Sequence, residues 1–177
     1  RYARQHAATS NVLLYGFGTG VSAALIAWDQ LPAPQDSRDA LPESIRKLDF
    51  DQSYVIGLIL DSPAISPDPA IRSLYRERSW FHRNILALTV PYAVRLSAGN
   101  IGRVNHSTIL GACHRPVLII RHAEDTKLGS SPLTVASERA RLHPDLTAVS
   151  VIATPGHTQG FLTDQADYLE DLDAWLS

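Results

Sequence analysis

Four short apolar runs, each followed by a stretch long enough for a helix, limit what this chain can fold into. They are Val12–Tyr15, Val55–Leu60, Val117–Ile120 and Val149–Ala153. The first three are nearly unbroken in apolar residues, which suits parallel strands buried on both faces rather than half-exposed strands that alternate. Helical stretches are predicted at Val21–Trp28, Pro69–Ser79, Phe81–Ala98, Pro132–Leu142 and Asp164–Leu176. Strands alternating with helices give an α/β fold: a doubly wound, mostly parallel sheet with helices expected on both faces. With 177 residues, 45% of them hydrophobic, the chain has the length of one domain (1–177) and can bury a sizeable core.

Two segments depart from the alternation. Gln30–Gln52 is rich in proline and acidic side chains and reads as an exposed excursion. Residues 63–110 are too long for a simple crossover, are punctuated by Pro67, Pro69 and Pro91, and are expected to form a helical lid inserted after the second strand. Within it, Ile71–Arg83 carries four arginines and the pair Trp80-Phe81. Either an aromatic face closes over an apolar substrate, or Leu74, Trp80 and Phe81 pack on the core with the arginines solvated.

Charge and cysteine usage exclude several classes. A net charge of −2 gives no reason to expect nucleic acid or an anionic membrane as partner. No apolar run reaches the roughly 18 residues of a spanning helix. The single cysteine, Cys113, cannot form an internal disulfide and fits a reducing, cytoplasmic compartment; beside an apolar run it reads as a packed thiol. No motif calls for a metal or a cofactor. The chain starts at Arg1 and has no methionine. Arg1–His6 reads as the tail of a helix, and the first strand would be an edge despite its apolar character. The domain is therefore expected to be incomplete at its N-terminal side.

The chemistry concentrates in three places. Asn11-Val-Leu-Leu-Tyr-Gly-Phe-Gly-Thr-Gly-Val-Ser is a strand, a glycine-rich sharp turn and a small-residue helix start. This is the context of a nucleophile elbow, with Gly16 and Gly20 at the flanking small positions and Gly18 at the apex, where a nucleophile would stand. A plain tight turn and an anion-binding helix N-terminus are the other readings, the latter without the third glycine or the lysine of the phosphate-binding fingerprints. Asp125 lies five residues past Ile120, in a polar turn, where a carboxylate could orient an imidazole or simply cap a turn. His157 follows the fourth run and a Pro-Gly turn. Gly18, Asp125 and His157 thus each fall just beyond the C-terminal end of a different strand, where open α/β sheets bind ligands.

As a set, Leu14-Tyr-Gly-Phe-Gly-Thr-Gly, Gly57-Leu-Ile-Leu-Asp-Ser-Pro, Arg-Pro-Val-Leu-Ile-Ile with Asp125, and Pro-Gly-His157 resemble the α/β-hydrolase superfamily, near its lid-bearing bacterial serine esterase and peptidase-like members. The resemblance implies hydrolysis of a small-molecule ester or amide, Asp125 as triad acid, His157 as general base and the Thr19 N–H as an oxyanion-hole donor. The position of the nucleophilic serine is held by Gly18, so the resemblance implies impaired catalysis. Asp61 is a rival acid, and Thr19 and Ser22 are the nearby hydroxyls. A non-catalytic module that keeps the crevice for a ligand or protein partner remains open, as does catalysis through an unorthodox nucleophile or water.

Overall fold

A computed structural model of the chain describes residues 11–34, 43–47, 50–76, 78–97, 104–123, 125–153 and 156–177. The expected Arg1–His6 helix tail and much of the 30–52 excursion lie outside them. The strands are β1 (Val12–Phe17), β2 (Val55–Asp61), β3 (Val117–His122) and β4 (Thr147–Ile152). They form one parallel sheet in the order β1-β2-β3-β4. The helices are α1 (Thr19–Gln30), α2 (Glu43–Arg46), α3 (Pro67–Arg76), α4 (Ala87–Ser97), α5 (His106–Ala112), α6 (Ser131–Leu142), α7 (Gly160–Thr163) and α8 (Gln165–Leu176).

A strand order that never reverses sends right-handed crossovers past the same side of the sheet. Accordingly α1, α5 and α6 share one face. Val21, Leu25 and Trp28 of α1, Ile109 and Leu110 of α5, and Val135 of α6 meet Leu58, Leu60, Val117 and Ile119 there. The opposite face, with Ile59, Leu118, Ile120 and Ile152, is covered by Tyr168, Leu172 and Trp175 of α8. Gly57 makes that cover possible, since a Cβ on it would stand 2.9 Å from Trp175 Cη2. Each fully buried aliphatic side chain contributes about 1.5–3 kcal/mol, so these two clusters dominate the stability.

The edges explain the departures from the sequence pattern. On β1, an edge among the described residues, Tyr15 and Phe17 are about half exposed. On β4, the other edge, Val149 and Val151 face outward while Ser150 and Ile152 are buried. Pro91 sits inside α4, within the helical stretch expected over Phe81–Ala98. The packing alternative for Leu74, Trp80 and Phe81 is overturned: they are 69%, 67% and 53% exposed. Phe81, Ile85, Leu88, Tyr92 and Leu96, spaced by one helical turn through a π-helical turn (His82–Leu86) and α4, are likewise exposed.

One buried cation joins α5, β3 and α6. Arg139, 1% exposed, donates from its guanidinium to the carbonyl oxygens of Leu110 and Cys113, and to that of Arg115 at 2.9 Å. It thereby ties the C-terminal end of α5 to the residues leading into β3, sharing the Leu110 carbonyl with Cys113 N–H. Cys113 is fully buried beside it; burial pushes its thiol up, against a backbone hydrogen bond and the nearby arginines, so it is an inert packed group. No helix among the described residues is long and apolar enough to cross a membrane.

Candidate active site

The turn after β1 is strained. Gly18 has φ 56° and ψ −116°, a combination closed to most residues with a side chain, and stands as N-cap of α1. Its N–H donates to the Asp61 carbonyl at 3.2 Å, holding the apex over the end of β2, and its own carbonyl accepts from Val21 N–H. Gly16 is required by the close approach of strand and helix: a Cβ there would fall 2.6 Å from Val21 Cα. Gly20, expected to serve the same purpose, has nothing within 4 Å of its would-be Cβ. Thr19 is the first residue of α1, so its N–H has no carbonyl one turn back within the helix.

Asp125 and His157, 32 residues apart in sequence, meet: His157 Nδ1–H donates to Asp125 Oδ2 at 2.7 Å. The other carboxylate oxygen accepts from the N–H groups of Lys127 at 2.8 Å and Leu128 at 3.1 Å. One carboxylate therefore closes its own turn with one oxygen and orients an imidazole with the other. Burial by itself would raise the Asp125 carboxyl, but the His157 bond and the two backbone donors together hold it below its ordinary range. An ionised acceptor on Nδ1 fixes the tautomer that leaves Nε2 of neutral His157 with a free lone pair. Thr158, with φ 56°, continues the loop, and its Cγ2 lies 3.4 Å from where a Cβ on Gly18 would be.

Asp61 is committed elsewhere. Its fully buried carboxylate accepts from His122 Nε2 at 3.0 Å and Ser62 Oγ at 2.8 Å on one oxygen, and from Tyr168 OH at 2.9 Å on the other. Because the Tyr168 proton goes to Asp61, the Tyr15 hydroxyl must be the donor in its bond to Tyr168. Burial first, then these neighbours, push the Tyr168 hydroxyl far up. This second Asp–His pair ties β1, β2, β3 and α8 together beneath the strand ends. Sequence reading singled out Asp61 but not His122, Tyr168 or Ser62, since nothing in spacing alone brings them to one carboxylate.

Gly18 and His157 open into one cavity of about 390 Å³, within the range of small-molecule sites. Thr19 and Ser22 from α1, Ser62 from the end of β2, and Ile71 and Leu74 from α3 also line it. His106, the first residue of α5, is a lining residue that sequence reading missed. Seven residues of α5 are too few to show a helical period, which removed the one signal that could have placed it. Among the described residues, no three His, Cys, Asp or Glu side chains stand together as metal ligands would.

No known family pattern matches the sequence, and no curated protein is significantly similar to it. Solved structures are similar in fold. The esterase Pf2001 of Pyrococcus furiosus superposes with a TM-score of 0.62 at 13% identity over 99% of this chain. The N-formylmaleamic acid deformylase of Pseudomonas putida S16 superposes with a TM-score of 0.50 at 16% identity over 92% of it. The chain spans 57% of the length of the esterase and 66% of that of the deformylase. At such identities the likeness concerns architecture alone, the α/β arrangement of a parallel sheet flanked by helices.

Proposed function

We propose that this chain is an α/β-hydrolase scaffold for small ester or amide substrates, with His157 as general base and Asp125 as the acid that orients it. The observation that carries this reading is the 2.7 Å bond between them in a loop that overhangs the Gly18 turn and shares its cavity. In this reading His157 Nε2 is the base, and Gly18 holds the nucleophile's position in the chain. The Thr19 N–H at the start of α1 is assigned to the oxyanion of a tetrahedral intermediate. The names of the two structural neighbours, an esterase and a deformylase, agree with acyl chemistry.

Glycine at the apex supplies no nucleophile, so turnover by the chain as it stands falls by orders of magnitude from that of a complete triad. The same observation favours a second reading, in which the cavity binds its ligand without turning it over. Residues 63–110 are assigned as the lid: Ile71, Ser73 and Leu74 of α3 and Val94 of α4 face the cavity, while α5 anchors the far end of the segment in the core.

The test is hydrolysis of p-nitrophenyl butyrate by the chain, by Gly18→Ser, and by Gly18→Ser combined with His157→Ala. Turnover created by serine and abolished with His157 is the expected result. Turnover in the unsubstituted chain that already depends on His157 would refute the impairment. An inert serine variant that still binds the ester selects the second reading.

A further inference from the structure

The segment from Trp80 through α4 is apolar on two sides at once. Ala87 and Pro91 are buried and Val94 lines the cavity, which accounts for one side. On the other stand Trp80 and then Phe81, Ile85, Leu88, Tyr92 and Leu96 at one-turn spacing, all 39% to 67% exposed. Single exposed apolar side chains are ordinary on a protein surface, but a continuous stripe marks a face that binds something.

Charge identifies the occupant. The net charge of −2, which by itself gives no reason to expect an anionic membrane, hides an uneven distribution. From Arg78 to Ala123 the sequence holds no aspartate or glutamate, and arginine stands at 78, 83, 95, 103, 115 and 121. Arg78 and Arg83 bracket Trp80 and Phe81, and Arg72 lies on α3, which packs against α4. These three are exposed, and no carboxylate among the described residues pairs with them. The stripe is therefore flanked by positive charge that the protein leaves unanswered.

A second copy of the chain fits poorly. A two-fold pairing would lay the stripe on itself and bring the same arginines together with no acid to meet them, and like charges across an interface repel. A protein groove fits poorly as well, because the buried Ala87 and Pro91 hold the far side of the helix against the body, so that only one side can be covered. A lipid surface needs only one side. Trp and Tyr favour the boundary between headgroups and acyl chains, Phe and Leu enter below it, and arginines reach up to the headgroups.

We propose that this face docks the protein on an anionic lipid surface, with Trp80, Phe81, Leu88 and Tyr92 inserted at the boundary and Arg72, Arg78 and Arg83 on the headgroups. The inference rests on the outer face alone and is independent of whether the cavity turns a substrate over.

Co-sedimentation with vesicles tests it, using phosphatidylcholine alone and phosphatidylcholine with one-third phosphatidylglycerol, each at low and high salt. The chain is expected to bind the mixed vesicles, to be released by salt, and to leave the neutral ones unbound. Arg78→Gln with Arg83→Gln should weaken binding about 20-fold, at about fivefold for each charge removed near the surface. Phe81→Ser with Leu88→Ser and Tyr92→Ser should abolish it, and none of these exposed residues lines the cavity. A blue shift of tryptophan emission on mixed vesicles, lost in Trp80→Phe, locates the contact on this face with a change too small to unfold the chain. Equal binding to both compositions, binding that survives the arginine changes, or no binding at all overturns the proposal. So does a dimer that the serine variant dissolves in the absence of vesicles. Loss of vesicle binding leaves the hydrolase reading intact, and an inert Gly18→Ser leaves the docking face intact.

Discussion

The missing Cβ of Gly18 would stand 3.4 Å from Thr158 Cγ2, an ordinary van der Waals contact, so the apex of the turn has room for a side chain beneath the His157 loop. What opposes a side chain there is the backbone, held at φ 56° and ψ −116°. Gly18→Ser should therefore fold but lose about 1–3 kcal/mol of stability to backbone strain. Thermal unfolding of the two proteins checks this. A serine variant as stable as the glycine form would mean that the turn relaxes and no longer presents the apex to His157.

The two glycines flanking the apex should respond in opposite directions. A methyl on Gly16 meets Val21 Cα at 2.6 Å and the Gly20 carbonyl oxygen at 2.9 Å, all of it backbone that cannot swing away. Gly16→Ala is expected to lower stability by about 1–3 kcal/mol or more, through forced separation of β1 and α1. A methyl on Gly20 meets nothing within 4 Å, and Gly20 lies in the first turn of α1. Gly20→Ala should be neutral or stabilise by up to about 1 kcal/mol, the difference in helix propensity. Denaturant midpoints of both variants decide it.

Much of this was legible in the chain. The four apolar runs marked the strands; burial on both faces accounts for the Val-Leu-Ile-Ile run of β3 and most of β2, whereas β1 and β4 lie at sheet edges and keep side chains exposed. The glycine-rich turn, Asp125 and His157 were legible because each follows a strand, and strand ends of a parallel sheet converge. What was illegible depends on long-range contact or on short elements. Nothing in the sequence singles out Arg139 of α6, yet it is buried against three carbonyls. His122 extends β3 by a polar residue, an extension that makes sense only with Asp61 waiting at the neighbouring strand end. Gly16 and Gly20 look alike in sequence and differ only in what lies behind them.

Asp125 sets an acid limit. Its carboxyl is held below the ordinary value, so folding favours the ionised form. The stability it contributes is complete above the unfolded-state value of about 3.9 and is lost as pH falls through the lower, folded-state value. Melting temperature recorded from pH 7 down to pH 3 should therefore drop more steeply at the acid end for the unsubstituted chain than for Asp125→Asn. The asparagine variant should be the less stable of the two at pH 7. Parallel acid slopes would show that the His157 and backbone donors do not discriminate between the two forms of the carboxyl.

The buried group around Asp61 makes the last prediction, and it turns on which hydroxyl donates to the carboxylate. Tyr168 OH donates to Asp61 Oδ2 inside the protein, whereas Tyr15, about half exposed, only donates onward to Tyr168. Tyr168→Phe leaves a buried carboxylate oxygen without its donor and strands Tyr15 as well, for an expected loss of about 1–3 kcal/mol or more. Tyr15→Phe removes a donor whose acceptor keeps its own proton on Asp61, so its loss should stay near 1 kcal/mol or below. The two changes share one hydrogen bond and must not add: the double variant should cost little more than Tyr168→Phe alone. Chemical denaturation of the three variants measures the coupling. Strict additivity would mean that the two hydroxyls act independently and that β1 is not tied to α8 through this pair.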